Sequence, residues 1–314
     1  MAINRTTILR GPGTVIFNTG NDAQAIFDAT GITAEVESST QDVPSSVSGT
    51  LDTIKTDQVG TIKFTPCGQI SDDLLALLYP YGNPTIGARV FADTDVPLAI
   101  HSVAGTKVNF VNAALTTMPP LTLSPVKTAF GEATFTALLG LGKAPGDSNS
   151  FFTTETATYA AGGPDPSGIV GVQYAATFGS LNILDTQDGW TVTPELSLEP
   201  VTTDLLGTID YTVGGVTVTA TCTPLGLTEA QILGALPITK GRGQSLAGAN
   251  DLVIAGAGGL TVTLKNATML RGPLQWGNTT LRAGEIMFQA HRSFNQGAAG
   301  AVFTVEMASS GTGS

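Results

Sequence analysis

Charged side chains are scarce in this sequence, and basic ones are the scarcest. Asp, Glu, Lys and Arg make up 12% of the 314 residues, about half of the roughly 25% that is usual in soluble proteins. The 25 acidic residues outnumber the 14 basic ones, which gives a formal net charge of −11 at pH 7. A protein that wraps a nucleic acid needs Lys and Arg to neutralise phosphates. The composition therefore excludes tight nucleic-acid binding, although it allows a surface past which a polyanion moves without sticking.

Cysteine and histidine are also scarce. The two cysteines, Cys67 and Cys222, are too few for a disulfide scaffold, and no CxxC or Cys/His ligand spacing is present. We expect both thiols to be buried in a reducing cytosol, since cysteine is among the most often buried residues. The two histidines, His101 and His291, have no acid or cysteine at a ligand spacing, so we interpret them as structural and expect no metal.

Sequence frames for phosphate binding or acid–base chemistry are missing as well. The glycine-rich stretches 11–13 and 256–259 lack the GxxxxGK[ST] and GxGxxG frames with a following helix. Asp72 and Asp73 are adjacent, and neighbouring residues on a helix do not face each other. We therefore predict that the chain is not an enzyme and uses no cofactor.

Long apolar runs are absent. No stretch reaches the 18 apolar residues that a membrane span requires, and the first ten residues have neither the apolar segment nor the cleavage site of a signal peptide. The sequence predicts a soluble product that is made in a cytoplasm and contacts no membrane.

What the sequence does contain is an internal duplication. Residues 49–68 and 207–226 match without a gap at a spacing of 158 (207 minus 49). Further matches follow in the same order at slightly shorter spacings, namely 108–113 with 262–267, 131–137 with 284–290, and 152–155 with 303–306. We predict two tandem domains, 1–159 and 169–314, joined by a Gly/Pro linker at 160–168.

The duplicated stretch has the pattern of β-structure. Runs of Val, Ile, Thr and Phe are separated by Gly, Asn and Pro throughout the chain. In the second copy, 216–222 alternates apolar and polar residues, and Gly214-Gly215 is a dipeptide that a two-residue type I′ turn favours. Thr56 and Asp57 take the same place in the first copy. We therefore predict hairpins at 49–64 and 207–222, each turning at these dipeptides.

Each predicted hairpin leads into a short helix. The segment 71–79 starts with a Ser N-cap and two acids, and 228–236 has the capping-box spacing of Thr228 and Gln231. Pro80 and Pro237 end the two helices. About two and a half turns do not stand alone, so each helix must pack on a sheet. The fold class is thus mainly β, with two tandem β-sandwich or barrel domains and one flanking helix in each.

Acidic residues recur in both copies, whereas no basic residue inside a matched segment does. One interpretation is that these acids cap turns or pair with Arg and Lys across contacts. The other is that one or two pairs line a channel and repel a phosphate backbone. The recurring pairs are Glu37 with Glu195, Asp52 with Asp210, Glu132 with Glu285, and Glu155 with Glu306.

The hairpin, the turn FTPCG at 64–68, the Leu-rich helix and its end LLYPYGNP at 77–84 resemble the major tail tube proteins of long-tailed bacteriophages. The resemblance is closest in the first copy, and the second departs from it at 236–238, where Leu-Pro-Ile replaces Tyr-Pro-Tyr. It implies a β-sandwich or barrel whose copies form a closed inner ring, with rings stacked into a hollow tube. Family members with one such domain form hexameric rings, so a chain with two is expected to form trimeric, pseudo-hexameric ones.

The resemblance also implies partners and a place. We expect the chain to assemble with itself and to meet the tape measure, tail terminator and tail tip proteins in the virion tail, after assembly in the host cytoplasm. DNA is expected to pass through the tube without specific binding, along a bore formed by the hairpins 49–64 and 207–222. Two other functions remain open: a virion decoration or surface-binding module, and the inner tube of a contractile injection or secretion system.

Overall fold

A computed structural model describes residues 13–17, 24–28, 30–47, 49–67, 70–102, 105–143, 147, 151–157, 172–246, 250–276, 281–292 and 300–307. Nearly all regular structure in these residues is antiparallel β, so the prediction of a mainly β chain is confirmed. Neither helix in the described part of the chain is long and apolar enough to span a membrane. The predicted linker, 160–168, lies outside the described residues.

The part of the chain before the predicted linker forms twelve described strands and one helix. In order they are β1 Gly13–Phe17, β2 Gln24–Asp28, β3 Thr33–Ser45, β4 Gly49–Phe64, β5 Pro66–Cys67, α1 Asp72–Leu78, β6 Leu98–Ser102, β7 Thr106–Phe110, β8 Asn112–Thr117, β9 Leu121–Leu123, β10 Thr128–Phe130, β11 Ala133–Leu138 and β12 Phe152–Thr156.

The part after it forms ten described strands and a second helix. They are β13 Tyr174–Phe178, β14 Leu181–Ile183, β15 Thr186–Thr203, β16 Gly207–Pro224, α2 Glu229–Ala235, β17 Asn250–Gly256, β18 Leu260–Arg271, β19 Leu274–Trp276, β20 Leu281–Ala283, β21 Ile286–Gln289 and β22 Phe303–Met307.

Strand pairing follows one scheme in both halves. The first half has sheets ordered β12-β7-β6-β1-β2-β5 and β3-β4-β11-β8. In the second half, β22, β18, β17, β13 and β14 are paired in that order, and β15-β16-β21-β18 form the other sheet. The long strand β18 belongs to both of these sheets. In the first half its place is taken by two strands, β7 in one sheet and β8 in the other. Each half also contains a small antiparallel hairpin, β9–β10 in the first and β19–β20 in the second.

The two longest hairpins, β3–β4 and β15–β16, have the same register. Thr33 pairs with Lys63 as Thr191 pairs with Thr221, a spacing of 158 (191 minus 33 and 221 minus 63). Two bulges fall at equivalent places in the two hairpins, and β15–β16 has a further register shift between Thr186 and Trp190. The register shifts after Ser39, Val43, Ser197 and Val201.

The predicted turns at Thr56-Asp57 and Gly214-Gly215 are wrong. All four residues lie inside β4 and β16, and the hairpins turn between Ser45 and Gly49 and between Thr203 and Gly207 instead. Thr56 and Gly214 are the extra, unpaired residues of the first bulge in each hairpin. A bulge shifts the alternation of side chains between faces by one residue, so one long strand has the pattern of two short ones.

Both predicted helices are confirmed. α1 begins after Ser71, whose side chain accepts from the Leu74 amide, and α2 has the capping box between Thr228 and Gln231. Each buries an apolar side chain, such as Ile232 in α2. The core that they cover runs without interruption from strands of the first half to strands of the second.

Candidate functional site

The two halves are joined by strand pairing. β9, from the first half, adds to the edge of β15, so that Leu123, Thr122 and Leu121 lie opposite Trp190, Thr191 and Val192. Backbone pairing at a sheet edge is a strong and geometrically specific way to join two units. The pair continues the second-half sheet as β10-β9-β15-β16-β21. This ladder is the first component of what we term the internal junction.

A loop of the first half forms the second component. Residues 85–91 run along the free edge of β16, where Val213 accepts from the Gly87 amide at 2.8 Å and donates to the Ala88 carbonyl at 2.9 Å. The Val90 amide donates to the Tyr211 carbonyl at 2.8 Å. The edge of β16 near its start is therefore covered by main-chain bonds, which removes an exposed strand edge.

Asp210 lies at the centre of this contact. Its side chain is only 4% exposed and forms an ion pair with Arg89, whose side chain is half-exposed. It also accepts from the buried Phe91 amide at 3.1 Å and from the Tyr211 amide at 2.7 Å. Through its hydrogen bond and its charge, the carboxylate raises the pKa of the Arg89 guanidinium above its ordinary value. Asp210 thus joins the two halves.

A second carboxylate contributes from the first half. Asp57 accepts from the Thr208 amide at 3.1 Å and from the Thr208 hydroxyl at 2.6 Å. This two-oxygen contact fixes the start of β16 against the middle of β4. Nothing in the sequence singles it out, because the partners lie 151 residues apart and neither belongs to a recurrent pair.

The recurring acids do not form one site. Among the described residues, no group of three or more His, Cys, Asp or Glu side chains is arranged to hold a metal. Three of the eight pair with bases, as one of the two interpretations expected. These are Asp210 with Arg89, Glu155 with Lys107 at 2.8 Å, and Glu285 with Arg271 at 3.4 Å.

The other five are exposed, and they lie on different strands or at their ends. Asp52, in β4, accepts from the adjacent Thr53 amide at 2.7 Å. Glu132 immediately precedes β11, and Glu306 lies in β22. Glu37 and Glu195 occupy equivalent positions in β3 and β15, opposite Val59 and Thr217. In each of the other three recurring pairs, one member forms an ion pair with Arg or Lys. Glu37 and Glu195 are therefore the recurring pair that remains as a candidate for the lining of a channel.

Glu37 and Glu195 belong to a hydrophilic surface that we call the polar face. In β15–β16 it is formed by alternate side chains, among them Thr191, Thr193, Glu195 and, across the strand pair, Thr217 and Thr219. The opposite face carries the buried Val192, Val218 and Ala220. Residues 33–64 contain five acids and two lysines, and 186–224 contain five acids and no base. The two long hairpins are therefore acidic as well as polar.

The cysteines and histidines take structural positions. Cys222 is buried and Cys67 half-buried, so the expectation of two buried thiols holds fully only for Cys222. Burial raises the pKa of the Cys222 thiol well above its ordinary range. His101 is buried and its ring contacts the Ala157 carbonyl at 3.2 Å. Burial lowers the pKa of His291.

No protein-family model matches the sequence, and none of the curated proteins compared with it is a detectable relative.

Proposed function

We propose that the chain is a structural, self-assembling protein, the subunit of a bacteriophage tail tube that is built from stacked trimeric rings. One observation carries the proposal. The hairpins β3–β4 and β15–β16 share their register and two bulges, yet among the described residues β9 and the 85–91 loop cover strand edges of the second hairpin and not of the first. Over Thr33–Ser45 every residue but the last is exposed. A surface on a second copy of the chain would supply the cover that the described residues do not give to this hairpin.

The uncovered hairpin has the properties of an assembly element. Its strands span 13 and 16 residues, against a usual length of about 5–6. It exposes apolar side chains, with Val36 at 38%, Leu51 at 64% and Ile54 at 48%. A long exposed strand edge with apolar side chains pairs with another chain unless it is protected. Closing copies into a ring removes such edges.

The polar face accounts for the bore of the tube. Six hairpins from three chains would give a wall whose strands bear Thr, Ser and Glu and few bases. Acidic walls repel the phosphate backbone, and sparse Lys and Arg leave little to retain it. DNA and a tape measure protein would then pass without being held, between the terminator and the tip of the virion tail.

Electron microscopy of the concentrated protein tests the proposal. We expect stacked rings or tubes in negative stain, and a mass per length that corresponds to three chains in each ring. Six chains per ring would contradict the trimeric arrangement but would not contradict the tube function. Discrete oligomers without a bore would contradict the tube and favour a decoration module.

A further inference from the structure

The second half contains an unused copy of the strand that forms the internal junction. The hairpin β19–β20 has the register of β9–β10, because Trp276 pairs with Leu281 as Leu123 pairs with Thr128, a spacing of 153 in both strands (276 minus 123 and 281 minus 128). Among the described strands, however, β9 adds to β15, whereas β19 pairs with β20 alone. One edge of β19 is therefore not paired with any described strand.

The first half contains the matching acceptor. β3 is equivalent to β15 by its register, and among the described strands it pairs only with β4. A donor strand and an acceptor edge thus remain at opposite ends of one chain. The donor strand and the acceptor edge are different surfaces of the chain. A contact between them on two copies is therefore head-to-tail, and it can repeat from each copy to the next.

Two second-half side chains that contact the first half are buried, while their first-half counterparts are exposed. Phe303 of β22 is 1% exposed and packs edge-on against Tyr79 of the first half at 5.9 Å between ring centroids. Its counterpart in β12, Phe152, is 42% exposed. Asp210 is 3% exposed, whereas its counterpart Asp52 lies in an exposed stretch of β4. The difference is what a missing neighbour would produce.

We infer that the missing neighbour is a second copy of this chain, whose β19 adds to β3 as β9 adds to β15. The inference rests on the proposed function and specifies the contact within its ring. The internal register transfers directly through the spacings of 158 and 153. It places Ile32, Thr33 and Ala34 of one copy opposite Trp276, Gln275 and Leu274 of the next.

The comparison of the two halves also predicts an ion pair at this contact between copies. Arg89 lies in the loop between α1 and β6, and Arg242 lies in the equivalent loop between α2 and β17. Arg242 is exposed. At the contact between copies it takes the place of Arg89, and Asp52 of the neighbour takes the place of Asp210. On assembly Asp52 becomes buried, as Asp210 is, and Arg242 stays half-exposed, as Arg89 does.

Cysteine cross-linking tests the register. Thr33→Cys and Gln275→Cys are combined in a Cys67→Ala background and the assembled protein is oxidised. Directly opposite residues on antiparallel strands have Cβ atoms about 4.5–5.5 Å apart, close enough for a disulfide after small shifts. We expect covalent trimers on a non-reducing gel. When the two substitutions are on separate chains that are mixed before assembly, dimers should be the largest product.

The chain offers matched controls for this experiment. Thr122→Cys with Thr191→Cys is the equivalent pair at the internal junction, and it should oxidise within each monomer. Thr33→Cys with Leu274→Cys shifts the register by one residue, which places the thiols on opposite faces, so it should give no covalent oligomer. If the internal pair oxidises and the 33/275 pair does not, the inference is wrong. Equal cross-linking of the shifted pair would also contradict it.

A second measurement does not depend on disulfide geometry. Asp52→Arg and Arg242→Glu should each raise the protein concentration needed for assembly by at least about 100-fold, because the first places two cations and the second two carboxylates opposite each other at a largely buried position. Lys240→Glu, on the same loop, is the control and should assemble normally. Assembly of Asp52→Arg at the wild-type concentration would overturn the inference. If the wild-type protein forms tubes and the Thr33→Cys/Gln275→Cys variant does not cross-link, this contact alone is refuted. If that variant gives cross-linked trimers and no tubes form, the proposed function alone is refuted.

Discussion

Asp210 and Asp52 make a test in which one chain provides both the experiment and its control. The two residues occupy equivalent bulge positions, and each accepts from the next residue's amide at 2.7 Å. Only Asp210 is buried, and only Asp210 also bonds to Arg89 and to the Phe91 amide. Alanine at the two positions therefore removes the same local contact and differs only in the internal junction.

The expected cost follows from these bonds. Asp210→Ala leaves the buried Phe91 amide without an acceptor, which costs about 1–3 kcal/mol, and loses bonds to an ionised acceptor worth about 1.5–3 kcal/mol. We expect a loss of roughly 2.5–6 kcal/mol in the free energy of unfolding from these two contributions. Asp52→Ala should cost less than about 0.5 kcal/mol, as exposed substitutions usually do.

Urea unfolding measures the difference. Trp190 is fully buried at the ladder between β9 and β15, so its fluorescence reports on this junction. The protein is kept below the concentration at which it assembles, since association would add apparent stability. Asp210→Asn, which keeps an acceptor oxygen, should fall between wild type and Asp210→Ala. If Asp210→Ala and Asp52→Ala lose the same stability, the internal junction is not formed as described.

Three further predictions concern single side chains. In the unassembled chain, Phe303→Ala should lower the free energy of unfolding by about 3–5 kcal/mol, whereas Phe152→Ala, half-exposed, should change it much less; calorimetry on dilute protein compares them, and equal losses would contradict the burial difference. Thiol reagents should label Cys67 faster than Cys222, whose burial raises its pKa and blocks access; equal labelling rates in native protein would contradict this. His291 has a lowered pKa, so unfolding takes up a proton and stability should fall as pH drops below about 6.5. A His291→Gln variant whose stability falls equally with pH would show that another group is responsible.

Local signals in the sequence were sufficient for the helices. Ser71 and Thr228 fix the helix starts through side-chain bonds to backbone amides three residues on, and both bonds form. Such interactions depend on spacing within a few residues, so the tertiary structure does not alter them. The repeat itself was also readable, because the spacing of 158 found in the sequence is the spacing of the strand registers.

The hairpin turns were not predictable from the same local rules. Gly214-Gly215 satisfies the preference for a tight turn, but it lies beside a bulge in a strand of 18 residues. The pairing partner decides between a tight turn and a continuous strand. Here β15 pairs with β16 along its whole length, so the strand continues through the two glycines. The junction was equally hidden, because Asp57 and Arg89 act on residues 151 and 121 positions away. No periodicity in a single sequence reports such contacts.

In the proposed ring, divergence between the halves would set the order of assembly. Position 57 is Asp and its counterpart 215 is Gly, so the two-oxygen contact to Thr208 has no equivalent where copies meet. The buried Val213 has Lys55 as its counterpart, so less apolar surface is buried there. The proposed contact between copies would therefore be weaker than the internal junction. A chain would complete its own junction first, and copies would hold together once several weak contacts close in one ring, because each added contact is then intramolecular and benefits from a high effective concentration.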